Sequence, residues 1–238
     1  MPGSPKTLYA GASGFSYATW KGKFYPNALS GAKMLGYYAQ RLNGVELNGS
    51  FYRTPPPGAL AGWASDTPPG FRFCMKANRG LTYSAEGFDR VGLARIFTER
   101  IAALGDRLGP VLLQFPPARK LNVALLDSLL GALGRPTAVE FRDPSWFSAD
   151  TYRVIRDHAG ALVVTDEEKW PRAPTLALGR IAYFRLRRGY TQAALRPWVA
   201  EVVSALASHD EVHVYFKHDP EAPALAQRLL TSAAKTRP

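Results

Sequence analysis

The chain has 238 residues, with 46% hydrophobic and 21% charged side chains and a net charge of +11. That length buries a substantial core in one large or two small domains, and the charge favours an anionic partner (phosphate, nucleic acid or membrane surface), although cations scattered over a solvated face would give the same total. The single cysteine, Cys74, excludes a disulfide framework. No apolar run approaches the ~20 residues of a membrane helix and Met1 to Lys6 hold no apolar leader core, so the expected setting is the cytoplasm, away from membranes.

Leu8 to Ser13 reads as a first strand, followed by a Gly- and aromatic-rich loop from Gly14 to Pro26. Ser30 is placed to cap a helix with Met34, Leu35, Tyr38 and Leu42 on one face. Gly44 onward reads as a second strand, with Glu46 and Asn48 on one face and Val45 and Leu47 on the other. Thr54-Pro55-Pro56-Pro57 interrupts it, and a short helix around Leu60 and Trp63 leads to the strand Phe71 to Lys76. After a loop of some fifteen residues, Leu93, Ile96, Phe97, Ile101 and Leu104 mark a helix face. Val111 to Phe115 is the fourth strand, and Leu121, Leu125, Leu126, Leu129 and Leu133 mark the next helix. Ala138 to Arg142 is the fifth strand, with Ser148 capping the helix beyond. Ala161 to Thr165 is the sixth, followed by an irregular, Pro-broken segment from Glu167 to Pro174. Ile181 to Leu186, a helix opened by Thr191, the strand Val212 to Lys217 and a last helix carrying Leu225, Leu229 and Leu230 complete the chain.

Eight strand–helix units, one with its helix degenerate, in a chain near the ~250 residues typical of such folds predict a single α/β domain. The architecture expected is a (β/α)₈ TIM-type barrel over residues 1–238, with residues 1–6 a loose tail and an irregular segment replacing the helix after strand 6. A doubly wound open sheet is the competitor; eight units with no spare strand favour closure, and no composition break marks a second domain.

Barrel strands carry functional residues at their C-terminal ends, on alternate positions. Following the face set by Glu46 and Asn48, the strands offer Ser13, Lys76, Gln114, Glu140 with Arg142, Thr165 or Asp166, Arg185 and Lys217. Two glutamates in apolar strands among inward cations are costly unless paired or used. The loops above interleave cations such as Arg53, Arg79, Lys120 and Arg187 with aromatics such as Tyr17, Tyr52, Tyr83 and Trp170, a combination suited to phosphates, sugars or flipped-out bases. Packing explains some of these rings, Phe51 and Trp146 among them.

Specific chemistries find less support. The dinucleotide and P-loop glycine patterns are absent, and Gly11-Ala12-Ser13-Gly14-Phe15 lacks the second glycine of a nucleophile elbow. Cys74 sits a layer below the mouth as a small core residue. Of the histidines, His218 alone follows a strand end. Glu46, Glu140, Asp166 and His218 are the donors a metal would need, but neighbouring cations compete for the same carboxylates, so no metal is assigned and the cofactor is unknown.

Gly11 to Tyr17 with Trp20, Phe24-Tyr25-Pro26, Glu46-Leu47-Asn48 with Ser50-Phe51-Tyr52-Arg53, Leu112 to Pro117, and Val139-Glu140-Phe141-Arg142 with Ser145-Trp146 together resemble the YecE-like family, domain of unknown function family 72. The resemblance covers essentially the whole chain. It implies a single (β/α)₈-type barrel and supplies no activity, because the family has none established. The chain departs from the family pattern at Thr82-Tyr83 (commonly Thr-His), at Arg185-Leu186-Arg187-Arg188-Gly189 (commonly Arg-x-His-Gly) and at Lys217-His218 (commonly two asparagines). Mostly, these swap neutral or titratable groups for fixed cations, which favours anion binding over a metal or histidine mechanism.

The leading expectation is a barrel mouth that binds a phosphate-bearing small molecule or nucleic acid, with hydrolytic chemistry as an extension. Glu46 and Glu140 are the candidate catalytic or orienting groups; Ser13, Asn48, Tyr52, Arg53, Lys76, Gln114, Arg142, Asp166, Arg185 and Lys217 are the candidate ligand contacts. The alternatives are a carbohydrate-active hydrolase using the two glutamates as its carboxylate pair, and a non-catalytic binding protein.

Overall fold

In the computed structural model, which describes residues 6–236, eight parallel strands follow one another in chain order. They are β1 Thr7–Ala12, β2 Gly44–Leu47, β3 Arg72–Met75, β4 Val111–Gln114, β5 Thr137–Glu140, β6 Ala161–Asp166, β7 Ile181–Leu186 and β8 Glu211–Phe216. The helices are α1 Met34–Ala39, α2 Pro57–Ser65, α3 Gly80–Tyr83, α4 Arg90–Ile101, α5 Val123–Leu133, α6 Ala149–Asp157, α7 Gln192–Ser208 and α8 Ala222–Thr236. Two of these, α3 and α4, stand between β3 and β4, whereas residues 167–180 between β6 and β7 contain no helix.

The expected continuous eight-stranded ladder is not what forms. Six strands make one curled parallel sheet in the order β1-β8-β7-β6-β5-β4, and β2 and β3 pair separately. At the two seams the ladder shrinks to isolated parallel bridges, Ser13 with Glu46 on one side, and Phe73 with Leu108 and Lys76 with Leu112 on the other. Side chains explain the first seam. Asn43 accepts from Ala10 N–H (2.9 Å) and donates to Leu8 C=O (2.7 Å), taking the place of a neighbouring backbone. The Tyr38 hydroxyl accepts from Ala12 N–H (2.8 Å) and donates to Gly44 C=O (3.0 Å), bridging β1 and β2 through one oxygen. Gly11 makes this approach possible: a Cβ there would lie 1.8 Å from Gly44 O and 2.5 Å from Tyr38 Oη. Backbone groups at this edge are therefore satisfied by side chains rather than by a strand ladder.

Apolar residues fall into two groups that match strand parity. Leu8, Val45, Phe73, Leu113, Val139, Val164, Phe184 and Val214 pack outward under the helices. Cys74, Leu112, Ala138, Ala161, Val163, Ile181, Tyr183 and Tyr215 fill the inside of the curl. Ser148, Thr191, Asn122 and Asp89 cap α6, α7, α5 and α4 with their side chains. Ser30 does not cap: the chain first winds a 3₁₀ turn over Gly31–Lys33, and α1 begins behind it. Ile96 (50% exposed) and Leu121 (39%) lie outside the buried faces assigned to them, because α4 buries Ala94, Phe97 and Ile101 and α5 starts only at Val123.

Candidate functional site

Five strands leave their last inward residue two positions beyond an inward core residue. Tyr183 is followed by Arg185, Cys74 by Lys76, Leu112 by Gln114, Ala138 by Glu140 and Val163 by Thr165. The alternation that builds the core thus stacks a polar layer on an apolar one at the C-terminal end of the sheet.

Arg185 organises that layer. Its Nε and Nη2 donate to both carboxylate oxygens of Glu46 (2.9 and 2.8 Å), and its Nη1 donates to Glu140 Oε2 (2.5 Å). Glu46 also accepts from Ser13 Oγ (2.8 Å), Asn48 Nδ2 (3.0 Å) and Tyr183 Oη (2.9 Å). Glu140 also accepts from Gln114 Nε2 (2.7 Å) and, at 3.4 Å, from Arg142 Nε. Gln114 Oε1 in turn accepts from Lys76 Nζ (2.7 Å), and Ser13 Oγ from Arg187 Nη1 (2.8 Å). Glu46, Glu140 and Arg185 are all buried.

The electrostatics follow from these contacts. Burial pushes the Glu46 carboxyl up, but the Arg185 charge and its hydrogen bonds outweigh burial and hold it at about 2. Glu140 is lowered by the same competition, burial against Arg185 and Arg142. Arg185 is raised, its desolvation outweighed by the two carboxylates. Lys76 moves the other way: burial and the like charge of Arg185 bring it down to about 8. Arg187 is lowered for the same two reasons. Both carboxylates are therefore ionised, and neither serves as a proton donor near neutrality.

Over this layer lies a cavity of about 350 Å³ lined by Tyr17, Asn48, Phe51, Tyr52, Lys76, Tyr83, Gln114, Arg142, Arg185, Arg187 and His218. Lys76 Nζ sits 4.2 Å from the Phe51 ring centre, Arg142 lies 4.7 Å over Trp170, and His218 stacks on Tyr17 at 5.2 Å. Beneath the layer, Cys74 Sγ contacts Tyr215 Oη (3.1 Å) and His213 Nδ1 (3.6 Å), and His213 Nε2 meets Glu211 at 3.0 Å. Burial pushes the Cys74 thiol up and the His213 imidazole down, leaving both neutral in the floor.

Ser13, Glu46, Asn48, Lys76, Gln114, Glu140, Arg142 and Arg185 thus meet in one network, with Tyr52, 73% exposed, at the rim. Three expected contacts lie elsewhere. Asp166 shares the outward parity of Val164 and binds Arg188 (3.0 Å) and Tyr190 Oη (2.6 Å), while its neighbour Thr165 faces inward with a buried hydroxyl that has no partner among the described residues. Lys217 lies 3.9 Å from Asp219, because β8 ends at Phe216 and the chain turns to present His218 instead. Arg53 is exposed and does not line the cavity, since the 3₁₀ turn Gly49–Phe51 breaks the strand alternation before it. Arg187 and Tyr17 enter the sequence reading only among the mouth-loop cations and aromatics, and Tyr183 only as a neighbour of Arg185 in its strand. Arg187 and Tyr183 also carry the parity of Arg185 as their signal, whereas Tyr17 is marked by its place in the loop after the first strand. Among the described residues no three His, Cys, Asp or Glu side chains gather as a metal site requires, and no helix is long and apolar enough to cross a membrane.

Fold and site together define an α/β protein whose curled parallel sheet ends in an arginine-centred buried ion network under a basic, aromatic cavity. The chain belongs to the DUF72 family, a protein family of unknown function whose model matches residues 9–238. A DUF72 family protein from Thermotoga maritima, known from its crystal structure, superposes with a TM-score of 0.83 at 30% identity, over 94% of this chain and 98% of that one. Among curated relatives, the UPF0759 protein YunF of Bacillus subtilis is 35% identical over 138 residues (54% of this chain, 49% of YunF), and the UPF0759 protein YecE of Escherichia coli is 30% identical over 146 residues (59% and 50%). The matched stretch spans about half the length of these curated relatives.

Proposed function

We propose that the two seams close the eight strands into one barrel and that its mouth is a pocket for a compact phosphate-bearing ligand. The isolated bridges at Ser13–Glu46 and Lys76–Leu112 and the side-chain bridges of Asn43 and Tyr38 support closure. The observation that carries the ligand reading is an imbalance of charge. Four cations, Lys76, Arg142, Arg185 and Arg187, surround a cavity with two carboxylates below it, and both carboxylates are taken by Arg185 and Arg142. Neither Lys76 nor Arg187 has a carboxylate within 4.0 Å among the described residues. Charges held out of water without counter-ions are costly, and a phosphate placed between them relieves that cost. A volume of about 350 Å³ matches a small ligand rather than a polymer segment.

Glu46 and Glu140 orient Arg185 in this reading. A glycosidase pair needs one carboxyl that is protonated near neutrality and one free to reach substrate or water; here both are ionised, buried and filled with donors. The experiment is a calorimetric titration of the protein with inorganic phosphate and with a phosphate monoester, repeated as chloride is raised. Saturable binding that weakens with chloride is expected; no binding, or binding indifferent to salt, overturns the reading.

A further inference from the structure

One amine in the molecule is set apart from the other lysines. Lys76 stands at the C-terminal end of β3, 9% exposed, lining the cavity with its Nζ over the Phe51 ring. Its hydrogen-bond acceptor is Gln114 Oε1 at 2.7 Å, an orientation fixed because the same amide donates to Glu140. By contrast Lys23, Lys120 and Lys217 are at least 44% exposed, and each faces a carboxylate, Glu221, Asp143 and Asp219 respectively. Arg142 and Arg187, on other walls of the cavity, supply fixed positive charge within the same pocket.

We propose that Lys76 is a catalytic amine that forms an imine with a carbonyl compound whose phosphate is held by Arg142 and Arg187. This rests on the phosphate reading of the same cavity. In the step, the Nζ lone pair of the neutral amine attacks the carbonyl carbon and the C=O π bond breaks, giving a carbinolamine. The former carbonyl oxygen then leaves as water, carrying both amine hydrogens, and the C=N bond forms; uptake of one solvent proton gives the iminium. No oxidant or reductant is needed. An imine of this kind draws electrons from the adjacent carbon, which is the use that covalent lysines serve.

The surroundings favour the neutral amine. Burial comes first and the Arg185 charge second in lowering Lys76 to about 8, so that roughly a tenth is unprotonated at pH 7, against less than a thousandth of an ordinary lysine. Arg185 itself stays cationic because Glu140 and Glu46 hold it, which makes it a positioning residue for the amine's state rather than a contact for the carbonyl.

The test treats the full-length protein with pyridoxal 5′-phosphate, as a flat aldehyde carrying a phosphate, and in parallel with pyridoxal, which lacks it. Borohydride reduction and peptide mass mapping then locate the adducts, with and without excess inorganic phosphate. The expected result is labelling dominated by Lys76, at least ten-fold faster with the phosphorylated aldehyde, suppressed by phosphate, and absent in Lys76→Arg. Phosphate titration of the parent protein, run alongside, reports on the anion pocket independently of the amine. Two results would overturn the proposal and are distinguishable. If exposed lysines are labelled and Lys76 is not while phosphate still binds, the amine role falls and the anion pocket stands. If both aldehydes label Lys76 equally and phosphate gives no protection, the phosphate half falls.

Discussion

Arg185 joins two carboxylates that come from strands far apart in the chain, 139 residues for Glu46 and 45 for Glu140. Replacing it by methionine leaves both carboxylates buried without their main counter-charge, so Arg185→Met is expected to lose about 3–5 kcal/mol in urea unfolding; a loss under about 1 kcal/mol would contradict the pairing. Acid acts on the same contact. Glu46 is held at about 2 against an ordinary 4.5, so its contribution is fully present above about pH 4.5 and is lost as pH falls toward 2. In Glu46→Gln that part of the acid dependence of the urea midpoint should disappear. Lys76 has the opposite sign: lowered to about 8, it attracts an anion only while protonated. Phosphate affinity should therefore fall as pH rises past about 8, with proton uptake detectable by calorimetry in buffers of different ionisation heat. At this scale the sequence was informative about place, since a charged residue inside an apolar strand is visible as such. Which charge meets which was not, because that depends on a sheet curl bringing β2, β5 and β7 face to face.

The elements show where pattern reading holds and where it stops. Short apolar runs located all eight strands, and period-two alternation placed Lys76, Gln114, Glu140 and Arg185 on one face because each lies within or one step beyond a strand. It failed for Lys217, where a turn follows the strand and parity has no meaning, and it could not reach Arg53, a loop cation beyond the 3₁₀ turn Gly49–Phe51. The β1–β2 seam was equally hidden, since Tyr38 reads as an apolar helix-face residue and no pattern marks Asn43, while in the fold their polar tips replace ladder bonds. Tyr38→Phe removes the bridging oxygen and leaves Ala12 N–H and Gly44 C=O unsatisfied, at a cost of about 1–3 kcal/mol. Hydrogen exchange at the Ala12 amide should accelerate in this variant and remain unchanged at β7; unchanged protection at Ala12 would show that the seam does not depend on Tyr38.

For the whole molecule, a net charge of +11 is compatible with many partners, and what distinguishes them is where the charge resides. Exposed ion pairs such as Lys23–Glu221 and Arg153–Asp157 stabilise little and recognise nothing in particular. The cations around the cavity differ because burial raises the cost of leaving them unpaired. The central claim is that these residues, and not the overall charge, hold a phosphate. The most direct measurement compares inorganic phosphate affinity in Lys76→Met and Arg187→Met with that in Lys217→Met and Arg53→Met, four variants that each remove one positive charge. A loss of at least ten-fold in the first pair and less than two-fold in the second is predicted. Equal losses in all four, or none in the first pair, would contradict it.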